Sequence, residues 1–449
     1  MSVNTETTVQ QASSFKGQTA VSISRKQMVA AVMASLLGWS LDLYDLFILL
    51  YVAPELGKLF FPTDKPTLSL AAVYASFAVT LFMRPLGSAL FGSYADRNGR
   101  KRAMVVAVSG VGISTALFGA LPTVAQIGAA AAIIFIVLRL IQGVFVGGVV
   151  ASTHTIGTES APEKWRGLMS GLVGGGGAAL GALLASIVYF VLSNIFHGPE
   201  FSEWGWRFMF FTGILCSVLG LFVFKKLEES PLWLQHKEAQ ETNTENQQSP
   251  VKMVFTKYLS VLLINLMIVI GGGSAYYLTC GYLPTFLKVI NNIPQTVSSM
   301  ILMVSSISAM IASVVLGHLS TIIGRKKTFI LLGIVNLIAL PYLYTELAAA
   351  QDLTLITLYA MGLAFLGNGS YAPVLVFLNE RFPTAIRSTG TGLSWNMGFA
   401  VGGMMPTFVT MVSSQTSDIP LSLMYFSIAL FLLYLFGSFI IPETKGNFK

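Results

Sequence analysis

The sequence predicts an all-α membrane protein whose twelve transmembrane helices form two pseudo-symmetric six-helix bundles. Three observations predict it. Only 10% of the 449 residues are charged and 54% are hydrophobic, at a mean hydropathy of +0.71, whereas soluble domains carry about 25% charged residues. Apolar runs long enough to cross a bilayer core, which takes about 20 residues of helix, recur along the whole chain. The short polar motifs between these runs repeat in the second half.

The apolar runs fall near 27–55, 68–93, 103–121, 126–157, 167–193 and 206–227, then 253–284, 296–319, 328–346, 354–378, 389–413 and 420–441. These are numbered spans 1 to 12. A single long polar stretch, 228–252, separates the sixth from the seventh, and its Gln-, Asn- and Glu-rich core has the composition of a linker. The expected organisation is therefore a bundle at 27–227, a linker at 228–252, a second bundle at 253–441 and a short tail at 442–449. Residues 1–26 are rich in Ser, Thr and Gln and lack the apolar core of a cleavable signal. They are expected to form a disordered cytosolic tail.

The formal charge of +7 does not point to nucleic acid, because the basic residues sit between apolar runs and form no stripe. Placing the N-terminus in the cytosol puts 21 of the 27 Lys and Arg residues on the cytosolic side, as expected for an inner-membrane protein with both termini inside. The two cysteines, Cys216 and Cys280, lie inside apolar runs and read as small hydrophobes with no disulfide.

Internal repeats set the architecture. Gly92-Ser-Tyr-Ala-Asp-Arg-Asn-Gly-Arg-Lys101 after span 2 has a degraded copy in Gly317-His-Leu-Ser-Thr-Ile-Ile-Gly-Arg-Lys326 after span 8, 225 residues on. Glu159 and Arg166 after span 4 recur as Glu380 and Arg387 after span 10, 221 residues on. Glu228-Glu-Ser-Pro after span 6 is echoed by Pro442-Glu-Thr-Lys after span 12. All lie on one side of the membrane, so the halves are parallel repeats about an axis along the membrane normal.

The loop after span 2 resembles the hallmark loop of the major facilitator superfamily. Arg139-Leu-Ile-Gln-Gly143 is similar to that superfamily's fourth-helix motif, and Pro442-Glu-Thr-Lys-Gly446 to the C-terminal signature of its sugar porters. Arg84-Pro-Leu-Gly87, Tyr276-Tyr277, Tyr282-Leu-Pro-Thr285 and Glu380-Arg-Phe-Pro-Thr384 resemble the metabolite:proton symporters. Asp42-Leu-Tyr-Asp45 with Ala53-Pro54 resembles the aromatic acid:proton and sialate:proton symporters. Val149 stands where many metabolite:proton symporters carry an acidic residue. The resemblance implies a proton-coupled transporter of the major facilitator fold.

The residues support this chemistry independently. An ionised side chain at the bilayer centre costs at least about 2.5 to 3.5 kcal/mol, so each needs a partner or a task. Asp42 and Asp45 share one face of span 1, and Arg84 in span 2 and Arg139 in span 4 fall at comparable depth. Asp45, Asp42 and Arg139 are the proton-coupling candidates: Asp45 is expected to pair with Arg139, either as a proton switch or as a permanent structural pair. Asp42 is a second proton carrier, a solute contact or a structural charge. Arg84 is either the anchor of a solute carboxylate or a tether between helices. In the second half, Tyr276, Tyr277, Tyr282, Asn368, Tyr371, Trp395 and Asn396 offer hydrogen bonds and aromatic faces without formal charge, as a cavity lining or as ordinary packing.

Glycines 171, 174–177 and 181 in span 5, and Ser305, Ser308, Ala309 and Ser313 in span 8, predict close packing between the halves. The cytosolic gate is expected to involve Asp96, Arg97, Arg100, Glu159, Arg166, Glu228, Glu380, Arg387 and Glu443. His154, one turn from the end of span 4, is a further gate contact. No metal site and no cofactor are expected, since no hydrolase, zinc or phosphate-binding motif occurs. The function expected is proton-driven symport of a small organic acid, by a monomer in the bilayer with no nucleic-acid partner. The alternatives are a neutral-solute, sugar-like symporter and an efflux antiporter.

Overall fold

The structure, a computed structural model, describes residues 25–98, 100–159, 163–225, 250–383 and 386–447. Most of the N-terminal tail and of the linker lie outside the described residues. The secondary structure described is helical throughout.

A helix stands at each of the twelve expected positions. Among the described residues eight helical stretches are long and apolar enough to span a membrane, and span 1 joins them if its bent pair is taken together. Spans 3, 6 and 11 complete the set as Arg100–Ala120, Trp206–Lys225 and Arg387–Val412. Span 11 carries Ser, Thr, Asn and Gly on a wall that faces the protein interior, which makes it weakly apolar by composition alone.

Four of the described spans depart from simple rods, and span 10 breaks at residues 370–373, between Leu353–Gly369 and Val374–Arg381. Span 1 runs from Arg25 to Tyr51 and turns by 62° into a separate helix, Ala53–Phe60; Pro54 sits in the first turn of the second helix, where its missing N–H costs nothing. Span 5 passes through a π-helical turn at Gly171–Gly176 before continuing as Gly177–Ile195. Span 7 does the same at Tyr277–Gly281, between Leu259–Tyr276 and Leu283–Val289.

The halves meet along two seams, span 5 on span 8 and span 2 on span 11. A twofold relation that maps each span onto the one six later exchanges these seams. In the first, the glycine pattern does what the sequence predicts: Gly171 and Gly317 bring backbone against backbone, and a Cβ on Gly317 would stand 2.6 Å from the Gly167 carbonyl oxygen. No side chain fits there.

The chain enters span 1 and leaves span 12 at the same face, here the terminal face. Contacts between the halves occur at both ends. Near the terminal face Ser170 Oγ donates to the Ala372 carbonyl at 2.8 Å and accepts from the Val376 N–H at 3.1 Å. The Gly167 N–H reaches Thr321 Oγ1 at 3.1 Å. Toward the opposite face Tyr74 stacks on Tyr282 with centroids 5.1 Å apart, and its hydroxyl shares a 2.8 Å hydrogen bond with Thr285. Beyond them the buried Glu55 forms an ion pair with Lys288. Among the described residues the halves therefore touch toward both faces.

Candidate functional site

Span 1 aims both carboxylates into the first half. Three residues apart, Asp42 and Asp45 share a helical face, and both are buried. Asp42 Oδ2 pairs with Arg84 Nη1 at 3.2 Å. Asp45 is held differently. Thr115 Oγ1 donates to its Oδ1, and Gln142 Nε2 donates to its Oδ2 at 2.7 Å. Gln142 Oε1 in turn accepts from Arg139 Nη1 at 2.5 Å.

The direct Asp45–Arg139 pair expected from the sequence is thus replaced by a relay through Gln142. The reason is local. Gln142 lies three residues beyond Arg139 on span 4, so the two side chains share a face, while the guanidinium packs flat over Phe118 at 4.0 Å. Gln142 stands inside the motif that drew attention to Arg139, and its type alone carried the signal. Thr115 gave none, since its hydroxyl also bonds the Val111 carbonyl one turn back at 2.8 Å, the ordinary role of a threonine in an apolar helix.

Two cavities border this cluster. One lies within the first half and is lined by Asp42, Asp45 and Thr115. The other lies between the halves and is lined by Arg84 from the first half and by Tyr276, Tyr277, Tyr371, Trp395 and Asn396 from the second. Arg84 thus faces the inter-half cavity while bonded to a carboxylate that faces the other. The aromatic wall is built by stacking: Trp395 lies on Phe399 with centroids 4.5 Å apart and meets Trp39 edge-on at 6.0 Å.

Of the expected lining residues, Arg84, Tyr276, Tyr277, Tyr371, Trp395 and Asn396 come together here. Tyr282 does not. It stacks on Tyr74 and shares a 3.0 Å hydrogen bond with Thr410, in the closure toward the opposite face. Asn368 lies beyond Tyr371, whose hydroxyl donates to its Oδ1 at 2.9 Å, and its amide bonds the Gly175 carbonyl across the span 5 seam at 3.0 Å.

Residues 28–407 match the family model of the Major Facilitator Superfamily. The chain belongs to that superfamily. It is 30% identical over 397 residues to the proline/betaine transporter of Escherichia coli (strain K12), spanning 87% of this chain and 79% of that one. To the glycine betaine/proline/ectoine/pipecolic acid transporter of Dickeya dadantii (strain 3937) it is 28% identical over 422 residues, 93% and 84% of the two chains. To an inner membrane metabolite transport protein of E. coli (strain K12) it is 28% identical over 384 residues, 84% and 86%. The crystal structure of a D-xylose-proton symporter matches the fold with a TM-score of 0.74 at 20% identity, over 93% of this chain and 99% of that one. The protein is a multi-pass membrane transporter of the Major Facilitator Superfamily.

In this superfamily member the expected gate charges divide. The side chains of Asp96, Arg97, Arg100, His154, Glu159, Glu228 and Arg387 lie outside the described residues. Arg166 opens the helical part of span 5. Glu380 is gripped by Arg325, whose Nε and Nη2 reach its two oxygens at 3.1 and 2.9 Å, and it accepts from Thr444 Oγ1 at 2.8 Å. Glu443 accepts from the backbone N–H groups of Arg325 and Lys326 at 2.8 and 3.2 Å, capping the start of span 9. Gly324 turns the chain there at φ +103°, a conformation that favours glycine. Glu380 and Glu443 therefore clamp spans 9, 10 and the C-terminal segment of one half. Arg325, which sequence reasoning passed over, lies in the degraded copy of the span 2 loop. Among the described residues no cluster of His, Cys, Asp and Glu has the makings of a metal site.

Proposed function

We propose that this chain is a secondary active transporter that takes up a small carboxylate-bearing solute together with a proton. The inter-half cavity opens alternately to either side of the inner membrane, with both termini in the cytosol. The observation that carries this reading is the position of Arg84, which lines the solute cavity while paired with Asp42. A carboxylate entering a low-dielectric cavity needs a cation with matching donors. As long as Asp42 is ionised it holds that cation. Once Asp42 is protonated, the guanidinium is released to the solute, so proton and solute load together. Asp45, tied through Gln142 to Arg139, is the second site at which a proton changes the charge balance of the first half.

The aromatic wall suits the other end of a zwitterion, because ring faces attract a cationic nitrogen. The names of the relatives point the same way: proline and betaine each combine a carboxylate with such a nitrogen. A compact zwitterion fits these features better than a simple organic acid. The transporter works as a monomer and draws its energy from the proton gradient without a cofactor. The neutral-solute reading draws support from the uncharged second-half lining, where aromatic faces and Asn396 suit hydroxyl groups as well.

The deciding experiment is uptake into proteoliposomes under an imposed inward proton gradient, with labelled glycine betaine, proline, pipecolic acid, benzoate and xylose. Accumulation of a carboxylate-bearing solute above equilibrium, abolished by a protonophore, is expected. Accumulation of xylose alone would sink the reading.

A further inference from the structure

The break in span 10 lies beside the inter-half cavity lined by Arg84, and the backbone groups it frees can be followed one by one. Pro373 has no N–H, so the helical bond back to the Gly369 carbonyl is missing. The Ala372 N–H takes that carbonyl instead at 3.2 Å, and the Val374 N–H takes that of Tyr371 at 2.9 Å. The Tyr434 hydroxyl donates to the Ser370 carbonyl at 2.7 Å. The Ala372 carbonyl and the Val376 N–H remain.

In an unbroken helix these two would bond each other, since they lie four residues apart. Here a hydroxyl from the other half stands between them. Ser170 Oγ of span 5 donates to the Ala372 carbonyl at 2.8 Å and accepts from the Val376 N–H at 3.1 Å. Ser170, Ala372 and Val376 are each 1% exposed or less, and buried backbone groups are almost always paired. A side chain inserted into the ladder bends a helix, and in this chain the inserted side chain belongs to the opposite bundle. Tyr371 sits within the break, lines the Arg84 cavity and donates to Asn368 Oδ1 at 2.9 Å. Ser170 itself lines neither cavity of the candidate site.

We propose that Ser170 is a positioning residue of the transport cycle, whose hydroxyl wedges span 10 open when the terminal face closes and so sets Tyr371 against the Arg84 cavity. The alternation of the two faces rests on the function proposed above, while the wedge rests on its two hydrogen bonds. When the halves part at the terminal face, the hydroxyl leaves with span 5. The Ala372 carbonyl and the Val376 N–H then take each other as partners, and span 10 straightens at Tyr371. Closing the face reverses both changes. The state of the terminal face and the shape of the cavity wall are one switch, and the second half does not move as a rigid body.

The wedge is tested by spin labels on Lys164→Cys and Lys327→Cys, exposed positions on the two halves, in a Cys216→Ser, Cys280→Ser protein. The ratio of long to short label distances measures opening of the terminal face. Ser170→Ala should raise that ratio about fivefold, the effect of one net hydrogen bond. Pro373→Ala returns the missing N–H and favours a straight helix, so it should raise the ratio although Ser170 is intact. Adding Ser170→Ala to it should then change the ratio by less than about twofold, because both substitutions release the same bend. Thr321→Val removes the neighbouring bond between the halves, outside the break, and should multiply the ratio equally with and without Pro373. Labelled glycine betaine, or xylose if the transport panel selects it, should bind the Ser170→Ala protein about threefold more weakly than the Thr321→Val protein. A ratio indifferent to Pro373→Ala, or raised equally by Ser170→Ala in both backgrounds, would overturn the wedge and leave Ser170 a fastener of the seam. Equal solute affinities would overturn its hold on Tyr371. The label distances need no solute, so failure of the wedge and failure of the functional reading are read separately.

Discussion

Arg84 Nη1 lies 3.2 Å from Asp42 Oδ2, yet the two residues border different cavities. One ion pair therefore forms the wall between a space inside the first half and the space between the halves. If that pair couples proton to solute, the affinity of the wild-type protein for its carboxylate solute falls as pH rises, because ionised Asp42 competes for the guanidinium. Asp42→Asn removes the competitor. Its solute affinity should rise by a factor on the order of ten, the size of a charge-pair effect, and lose its pH dependence, while uphill accumulation disappears. Unchanged affinity with full accumulation would leave the pair a purely structural tether.

Asp45→Asn is expected to abolish proton-driven accumulation while solute exchange across the membrane continues. Gln142→Leu goes further, since it strips Arg139 Nη1 and Asp45 Oδ2 of a shared partner. A destabilisation of about 2 to 3 kcal/mol follows from leaving hydrogen-bonding groups beside buried charges unsatisfied, visible as a lower melting temperature of the purified protein. A Gln142→Leu protein as stable as wild type would show that the relay is dispensable.

Arg84→Lys keeps the charge but loses the planar fork of donors. Affinity for the carboxylate solute should weaken on the order of tenfold in equilibrium binding, with insertion and folding intact. The methyl ester of the same solute should discriminate little between the two proteins. Parallel loss of the ester would mark Arg84 as a packing residue.

Lys288→Met leaves Glu55 buried without its cation. Breaking a buried pair from one side costs about 3 to 5 kcal/mol, so this variant should favour states open toward the opposite face. A Thr285→Cys reporter would then label faster. The double variant Glu55→Gln with Lys288→Met should restore closure in part, and failure of either variant to change labelling would remove the pair from the gate.

Gly171→Val would put side-chain atoms where the span 8 backbone now passes. Closure of the terminal face should fail, and transport and exchange should both drop by at least about tenfold, consistent with the 1 to 3 kcal/mol of overpacking. Wild-type rates in this variant would show that the seam is looser than its backbone contacts imply.

The twelve spans were legible because hydropathy measures the cost of leaving polar backbone and side chains in lipid, which acts on every span alike. The repeats were legible because both halves solve the same packing problem, and the glycines of span 5 because only a missing side chain permits that approach. Partners were harder. Asp45 and Arg139 were visible as a pair of charges, but Gln142, an uncharged relay, decides how they meet, and nothing in hydropathy distinguishes it from a cavity residue. Tyr282 and Tyr276 are the same residue type six positions apart on one span, and their spacing along the helix together with the turn between them sends one to the closure and leaves the other at the cavity. Glu380 found its cation in Arg325 because span 9 begins beside span 10, a neighbourhood set by topology and not by distance along the chain.

That turn acts as a register key. A π-helical turn inserts one residue into the ladder, and one residue of helix corresponds to a rotation of about 100°. Between Tyr276 and Leu283 the insertion at Tyr277–Gly281 sets which way everything beyond it points. Remove one residue there and Lys288 would swing away from Glu55, and Thr285 from Tyr74, although no contact residue had been altered. Span 7 thus ties the residues at the Arg84 cavity and those at the Tyr74 and Glu55 contacts to one helical register, set at Tyr277–Gly281.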